Sequence, residues 1–131
     1  MLGLDTNVLV RFLVQDDAAP FERARRLIKR EVGQGEPVLV SLLVLLETEW
    51  VLRSRYELPK TDILGVLSSL LESAEVSFED EGAIEEAVYT WKESTAEFAD
   101  CLINAHHRRL GCRATATFDA RAAKLAGFVA A

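Results

Sequence analysis

Several residue types are scarce in this chain, and their scarcity excludes whole classes of protein. Among 131 residues there are 2 cysteines, 3 prolines and 7 glycines. Cys101 and Cys112 match neither a disulfide framework nor a zinc-site spacing, so we expect reduced thiols and a cytoplasmic protein. The longest nearly apolar run, residues 38–46, is too short to span a bilayer, and no leader-like segment opens the chain. We therefore expect no membrane association.

The charge is acidic overall but unevenly distributed. The formal net charge is −6, and residues 72–100 contain ten acidic residues against a single basic residue, Lys92. One predicted helix carries the basic residues Arg23, Arg25, Arg26, Lys29 and Arg30. The total charge does not favour a nucleic-acid partner, but a local basic surface remains compatible with one.

Short apolar runs alternate with amphipathic stretches, which predicts strands alternating with helices. We expect strands at residues 2–4, 38–40, 76–78 and 114–116, and a final edge strand at 128–129. Predicted helix caps are Ser41, Thr61, Asp80 and a capping box formed by Ser94 and Glu97. This order is typical of βαβ units. It predicts one α/β domain over residues 1–131, with a mostly parallel sheet covered on both faces.

Four acidic residues occupy positions at predicted strand–helix junctions or inside predicted helices, where an unpaired carboxylate would be costly if buried. Asp5 and Asp119 directly follow predicted strands, and parallel sheets bind ligands at that edge. Glu47 has only apolar residues three and four positions away, so we place it on or beside the core face of its helix. Glu49, by contrast, precedes an arginine by four positions, and we expect a surface ion pair. Asp100 is predicted one to two turns inside its helix, and a shared divalent metal would offset the cost of isolated carboxylates.

Each of these acids also has an ordinary structural explanation. Asp5 and Asp119 are both suitable helix caps. Asp100 could form a hydrogen bond on the helix surface with Asn104, four residues later. Glu47 could lie at the rim of the core and reach water. The residues alone therefore leave the metal site as a hypothesis.

Around these acids the sequence resembles the PIN-domain ribonucleases, and among them the VapC-type toxins of bacterial and archaeal toxin–antitoxin pairs. Four short motifs in family order carry the resemblance: Leu4–Leu9, Ser41–Leu52, Phe98–Ile103 and Thr117–Asp119. The implied fold is a three-layer α/β/α sandwich with a mostly parallel central sheet. The implied metal-binding and catalytic residues are Asp5, Glu47, Asp100 and Asp119. The implied supporting residues are Thr6, Asn7, Thr117 and Glu97, the last standing where many relatives carry an aspartate.

The resemblance implies a Mg²⁺- or Mn²⁺-dependent endoribonuclease that hydrolyses RNA phosphodiester bonds as the toxin of a type II pair. A cognate antitoxin would insert a basic side chain among the acids, and we also expect a homodimer. The basic residues considered for holding the RNA backbone are Arg11, Arg23, Arg26, Arg53 and Arg121. Two rival hypotheses stay open. One is another metal-dependent phosphotransfer enzyme, such as a 5′-nuclease or phosphatase, and the other is a non-catalytic PIN-like protein-binding module.

Overall fold

Helices and short strands alternate along the chain in the computed structural model, which describes residues 1–131. The chain divides into an N-terminal unit, Met1–Asp80, and a C-terminal unit, Glu81–Ala131. Every strand pair is parallel, so the predicted α/β class with parallel strands is confirmed. None of the helices combines the length and apolar character that crossing a membrane requires.

Strand β1 is the centre of a small parallel sheet in the N-terminal unit. The elements of this unit are α1 (Thr6–Leu13), α2 (Ala18–Gly33), β1 (Val38–Val40), α3 (Leu42–Ser54), α4 (Lys60–Glu72) and β2 (Val76–Phe78). β2 pairs with one edge of β1, and Gly3 forms a parallel bridge to Leu39 on the other. The strand predicted at residues 2–4 is therefore present as this short bridge. Because the segments run in parallel, their C-terminal ends lie at the same edge of the sheet.

The C-terminal unit pairs two helices with a second parallel strand pair. Its elements are α5 (Glu81–Lys92), α6 (Phe98–Arg109), β3 (Thr115–Thr117), a single 3₁₀ turn (Ala122–Lys124) and β4 (Phe128–Ala130). Strands β3 and β4 pair with Thr115 opposite Phe128. β3 begins one residue later than predicted.

Each unit has an apolar core of its own. In the N-terminal unit the side chains that are almost completely buried include Leu9, Ile28, Leu45, Leu52, Ile63 and Leu67. In the C-terminal unit the rings of Trp91 and Phe98 pack edge to face, with centroids 5.3 Å apart. Cys101 is buried, as expected for a small core residue, and neither cysteine forms a disulfide. Truncating an aromatic side chain in such a core typically costs about 3–5 kcal/mol.

Two predicted helix starts in the N-terminal unit have different outcomes. Ser41 caps α3 as predicted, because its hydroxyl accepts a hydrogen bond from the Val44 N–H at 3.2 Å. Thr61 was predicted to cap the next helix, and that prediction is wrong. α4 begins at Lys60 after Pro59, so Thr61 lies inside the helix. The fixed φ of proline already suits the residue that precedes a helix, and no side-chain cap is needed to start it there.

The predicted start of α6 is also wrong, with a consequence for the candidate site. The helix begins at Phe98, and Glu97 occupies the cap position without a side-chain hydrogen bond to the helix. The Ser94–Glu97 capping box is therefore absent. Packing of Phe98 against Trp91 places the helix start at this point. Asp100 consequently lies in the first turn of α6 and not one to two turns inside it.

Candidate active site

Asp5 lies where the first strand segment ends and helix α1 begins. Leu4 is buried and its N–H donates to the Leu39 carbonyl at 2.9 Å, which fixes the chain just before the helix. Asp5 Oδ1 accepts a hydrogen bond from the Asn7 N–H at 3.0 Å, so Asp5 caps α1. Thr6 is buried, whereas Asp5 and Asn7 are exposed. The capping explanation thus holds for Asp5, and its exposed carboxylate keeps lone pairs for a further partner.

The two glutamates of α3 are placed the opposite way round from the prediction. Glu47 is exposed, whereas Glu49 is only 2% exposed. The predicted ion pair of Glu49 does form, with Oε2 at 2.8 Å from Arg53 Nε, but its carboxylate is buried. The prediction failed because apolar residues occupy both sides of α3. Leu43 and Trp50, which share the side of Glu47, are 79% and 48% exposed, so apolar neighbours do not mark the core face here.

The C-terminal unit brings Asp100, Asp119 and Glu97 into electrostatic contact. Burial raises the pKa of Asp100 above its ordinary value of 3.8, and the nearby charges of Asp119 and Glu97 raise it further. The guanidinium of Arg121 acts in the opposite direction, and it also lies 3.7 Å from Glu97. The negative charges of this acidic cluster are therefore only partly compensated by the chain itself.

The turn between β3 and the 3₁₀ turn holds Asp119 in a fixed position. The Thr117 hydroxyl accepts a hydrogen bond from the Asp119 N–H at 3.0 Å. Asp119 Oδ1 in turn accepts from the N–H groups of Arg121 and Ala122, at 2.8 and 2.9 Å. These bonds, led by that from Ala122, lower the pKa of Asp119, so its carboxylate stays charged. Both the cap predicted for Asp119 and the supporting position predicted for Thr117 are consistent with this turn.

Asn104 has a larger structural role than the surface hydrogen bond considered from the sequence. It is buried, its amide donates to the Ala126 carbonyl at 3.0 Å, and its Oδ1 accepts from the Thr115 hydroxyl at 3.2 Å. The same hydroxyl lies 2.9 Å from His107 Nδ1. These bonds connect α6 to β3 and to the segment before β4, and thereby fix the strand that leads to Asp119. The signal available in the sequence is a polar residue among the apolar residues Cys101, Leu102 and Ala105.

The acidic cluster fits a divalent cation in its donor chemistry. Its carboxylate oxygens are the ligands that hard cations prefer. Added positive charge would offset the repulsion from Asp119 and Glu97, which adds to the effect of burial in raising the pKa of Asp100. Nowhere in the structure are three His, Cys, Asp or Glu side chains grouped tightly enough to hold a metal ion. Asp5 and Glu47 belong to the N-terminal unit, and Asp100 and Asp119 to the C-terminal unit.

Comparison with known proteins identifies the family. A family model described as PIN domain matches residues 3–128, nearly the whole chain. The chain belongs to the PIN domain family, and the resemblance inferred from the four motifs is confirmed.

Two similar proteins carry related names. The VapC ribonuclease of Aquifex aeolicus (strain VF5) is 26% identical over 122 residues, which cover 93% of this chain and 90% of that protein. The crystal structure of Mycobacterium tuberculosis VapC20, described as a toxin that cleaves the sarcin–ricin loop, is 23% identical. It aligns with a TM-score of 0.42 over 100% of this chain and 98% of that one.

Proposed function

We propose that this protein is an endoribonuclease that hydrolyses RNA phosphodiester bonds with Mg²⁺ or Mn²⁺. The observation that carries the proposal is the acidic cluster of Asp100, Asp119 and Glu97 in a member of the PIN domain family. The similarity to a VapC ribonuclease supports RNA as the substrate. The family match runs through both units, which supports one nuclease domain over residues 1–131.

The residues that we assign to the metal are Asp5, Glu47, Asp100 and Asp119. A bound divalent ion supplies a water of lowered pKa and positive charge next to the phosphate. The chain contributes the placement of the acids. The cap on α1 orients Asp5, and the Thr117 turn holds Asp119 in its charged form.

Glu97 and Arg121 have supporting roles in this proposal. Glu97 lies at the start of α6, and its charge acts on Asp100 without being required as a ligand. Arg121 offsets part of the negative charge of Asp100 and Asp119. We therefore expect Arg121 to tune metal affinity, because a cation beside the ligands competes electrostatically with the metal.

We further propose that the protein is the toxin of a type II toxin–antitoxin pair in the cytoplasm. Its partners would then be an antitoxin that presents a basic side chain to the acids, and a second copy of the chain. Leu43 and Trp50, exposed beside Glu47 on α3, are an apolar surface of the kind that such a partner covers. The observation that favours the rival, a non-catalytic binding module, is that Asp5 caps α1 and Asp119 accepts hydrogen bonds from N–H groups at the start of the 3₁₀ turn.

The test is cleavage of a labelled total-RNA pool with and without Mg²⁺ or Mn²⁺. Asp100→Asn should reduce cleavage by at least about 100-fold, since it removes one charge at the acidic cluster and keeps the side-chain shape. Glu85→Gln is the matched control, because Glu85 is an exposed acid on α5 of the same unit. Metal-dependent cutting by the wild type and the control alone would support the proposal. Absence of cutting by a folded wild type would favour the binding module.

A further inference from the structure

The chain has a groove rimmed by arginines between α1 and α2, outside the acidic residues. It has a volume of about 480 Å³. Asn7 and Arg11 line it from α1, and Arg23, Arg26 and Arg30 line it from α2. Apolar side chains form the floor between the arginines. Four arginines around one groove are notable in a chain whose net charge is −6.

The arginine charges in the groove are largely uncompensated. Arg23 and Arg30 are exposed and form no ion pair with any carboxylate. Arg11 lies 3.8 Å from Asp16, which is longer than a hydrogen bond. The acid facing Arg26 is Glu22 at 4.0 Å, but that carboxylate is held by Arg25 through three hydrogen bonds of 2.9 to 3.2 Å. The groove therefore presents a net positive potential to an incoming anion.

The arginines of α2 are spaced for a repeating anion. Positions 23, 26 and 30 follow one side of a helix, at intervals of three and four residues. At 1.5 Å per residue, Arg23 and Arg30 are about 10 Å apart along the helix axis. With charges about 3.4 Å apart along one stacked strand, this length corresponds to roughly three phosphate-to-phosphate intervals. Guanidinium groups bind phosphate through paired hydrogen bonds, which favours arginine over lysine at such positions.

The groove is continuous with the start of α1, where the candidate catalytic residue Asp5 lies. Asn7 lines the groove, and its N–H donates to Asp5 Oδ1 at 3.0 Å. We infer that this groove binds the sugar–phosphate backbone of the RNA a few nucleotides away from the phosphodiester that is cut. This inference rests on the proposed ribonuclease function. Of the arginines considered from the sequence for holding the RNA backbone, it selects Arg11, Arg23 and Arg26, and it adds Arg30. Arg53 is instead paired with Glu49.

The experiment is binding of a short fluorescein-labelled single-stranded RNA in EDTA, measured by anisotropy at several salt concentrations. The variant is Arg23→Gln with Arg30→Gln, two exposed side chains whose loss leaves the core intact. Arg55→Gln is the matched control for each of the two single variants, because Arg55 is an exposed arginine of the same unit outside the groove. Each lost phosphate contact should weaken binding about fivefold near 0.1 M salt, so the double variant should lose about 25-fold. Its slope of log affinity against log salt should fall by about 1.4.

Cleavage by the same proteins separates this inference from the proposed function. With Mg²⁺ the double variant should show a raised KM and an unchanged kcat, whereas Arg55→Gln should match the wild type. If the double variant binds and cuts RNA like the wild type, the groove inference fails and the ribonuclease stands. Equal losses in the control would also overturn it, because they would indicate a diffuse charge effect. If the double variant binds RNA normally but no longer binds a protein partner, the groove is a protein-binding site and the inference fails. A wild type that neither binds nor cuts RNA would refute both proposals.

Discussion

Glu47 and Glu49, two residues apart on α3, should give opposite results when each is changed to glutamine. Glu47→Gln should leave stability within about 0.5 kcal/mol of the wild type, because the side chain is exposed. It should lower metal-dependent cleavage by at least about 100-fold if Glu47 is a metal ligand. Glu49→Gln should lower stability and leave cleavage unchanged, since its carboxylate is buried and paired with Arg53.

The size of the Glu49 effect follows from its burial and its ion pair. The Glu49 side chain is 3% exposed, and Arg53 is 47% exposed and can be solvated when the charge is removed. The change removes the negative charge and leaves the charged guanidinium bonded to an amide oxygen, so part of the about 1.5–3 kcal/mol that a hydrogen bond between charged groups contributes is lost. A loss of about 1–1.5 kcal/mol is therefore expected. For a domain of this length it lowers Tm by roughly 4–6 °C.

The assay combines thermal unfolding in EDTA with cleavage of labelled RNA in Mn²⁺ for both variants. Cleavage must be measured well below both melting temperatures, so that unfolding does not imitate a catalytic defect. A Glu47→Gln protein that melts early but cuts normally would refute the reasoning. So would a Glu49→Gln protein with unchanged Tm and no activity, because the placement of the two side chains on α3 would then be reversed.

The C-terminal unit yields three more expected outcomes. The pKa of Asp100 in the folded protein is raised above 3.8, so folding favours the protonated carboxyl group. The stability that this contributes is fully present below pH 3.8 and is lost as the pH rises through the raised pKa. In urea titrations without metal, the free energy of unfolding of the wild type should therefore fall relative to that of Asp100→Asn as the pH rises through this range. A difference between the two proteins that does not change with pH would contradict this. Gly127→Ala should destabilise by about 1–3 kcal/mol and by more than Gly111→Ala in the same titrations. Both glycines have positive φ, but only at Gly127 would a Cβ come within 2.9 Å of the Asn104 amide, so equal costs would argue against the packing contribution. Mn²⁺ at about 100 times its Kd should stabilise the wild type by about 2.7 kcal/mol in a thermal shift, and an equal shift in Asp100→Asn would exclude that residue as a ligand.

Elements with strong local signals were predictable from the sequence. Strands β1 and β2 match the predicted bounds, and Ser41 caps α3 as expected, because a hydroxyl before an apolar run is a local signal. The start of α6 was not predictable in this way. Ser94 and Glu97 have the spacing of a capping box, but packing of Phe98 decides where the helix begins. Tertiary packing overrode the local pattern there.

The same distinction applies to the candidate site: positions set by neighbouring residues could be predicted, and positions set by tertiary packing could not. Asp5 and Asp119 could be placed at helix starts after strands, because both positions depend on neighbouring residues only. The exposure of Glu47 could not be predicted, since apolar residues on both sides of α3 give no preferred core face. Arg11, Arg23 and Arg26 were candidates from the sequence, but their grouping in one groove could not be predicted, because it depends on how α2 packs against α1.

Asp119 has a structural role besides its proposed role at the metal, and this has a consequence for how the site would change during evolution. Its carboxylate holds the 3₁₀ turn together, so selection for folding alone retains an acid or an asparagine there after activity is lost. No such structural role retains Asp100, because Asp119 and Glu97 repel its charge and a neutral replacement removes that repulsion. In descendants that no longer cut RNA, position 100 should therefore drift first. If the proposed site is correct, a changed residue at position 100 would be the more informative sign of lost nuclease activity, and an intact position 119 would say little about it.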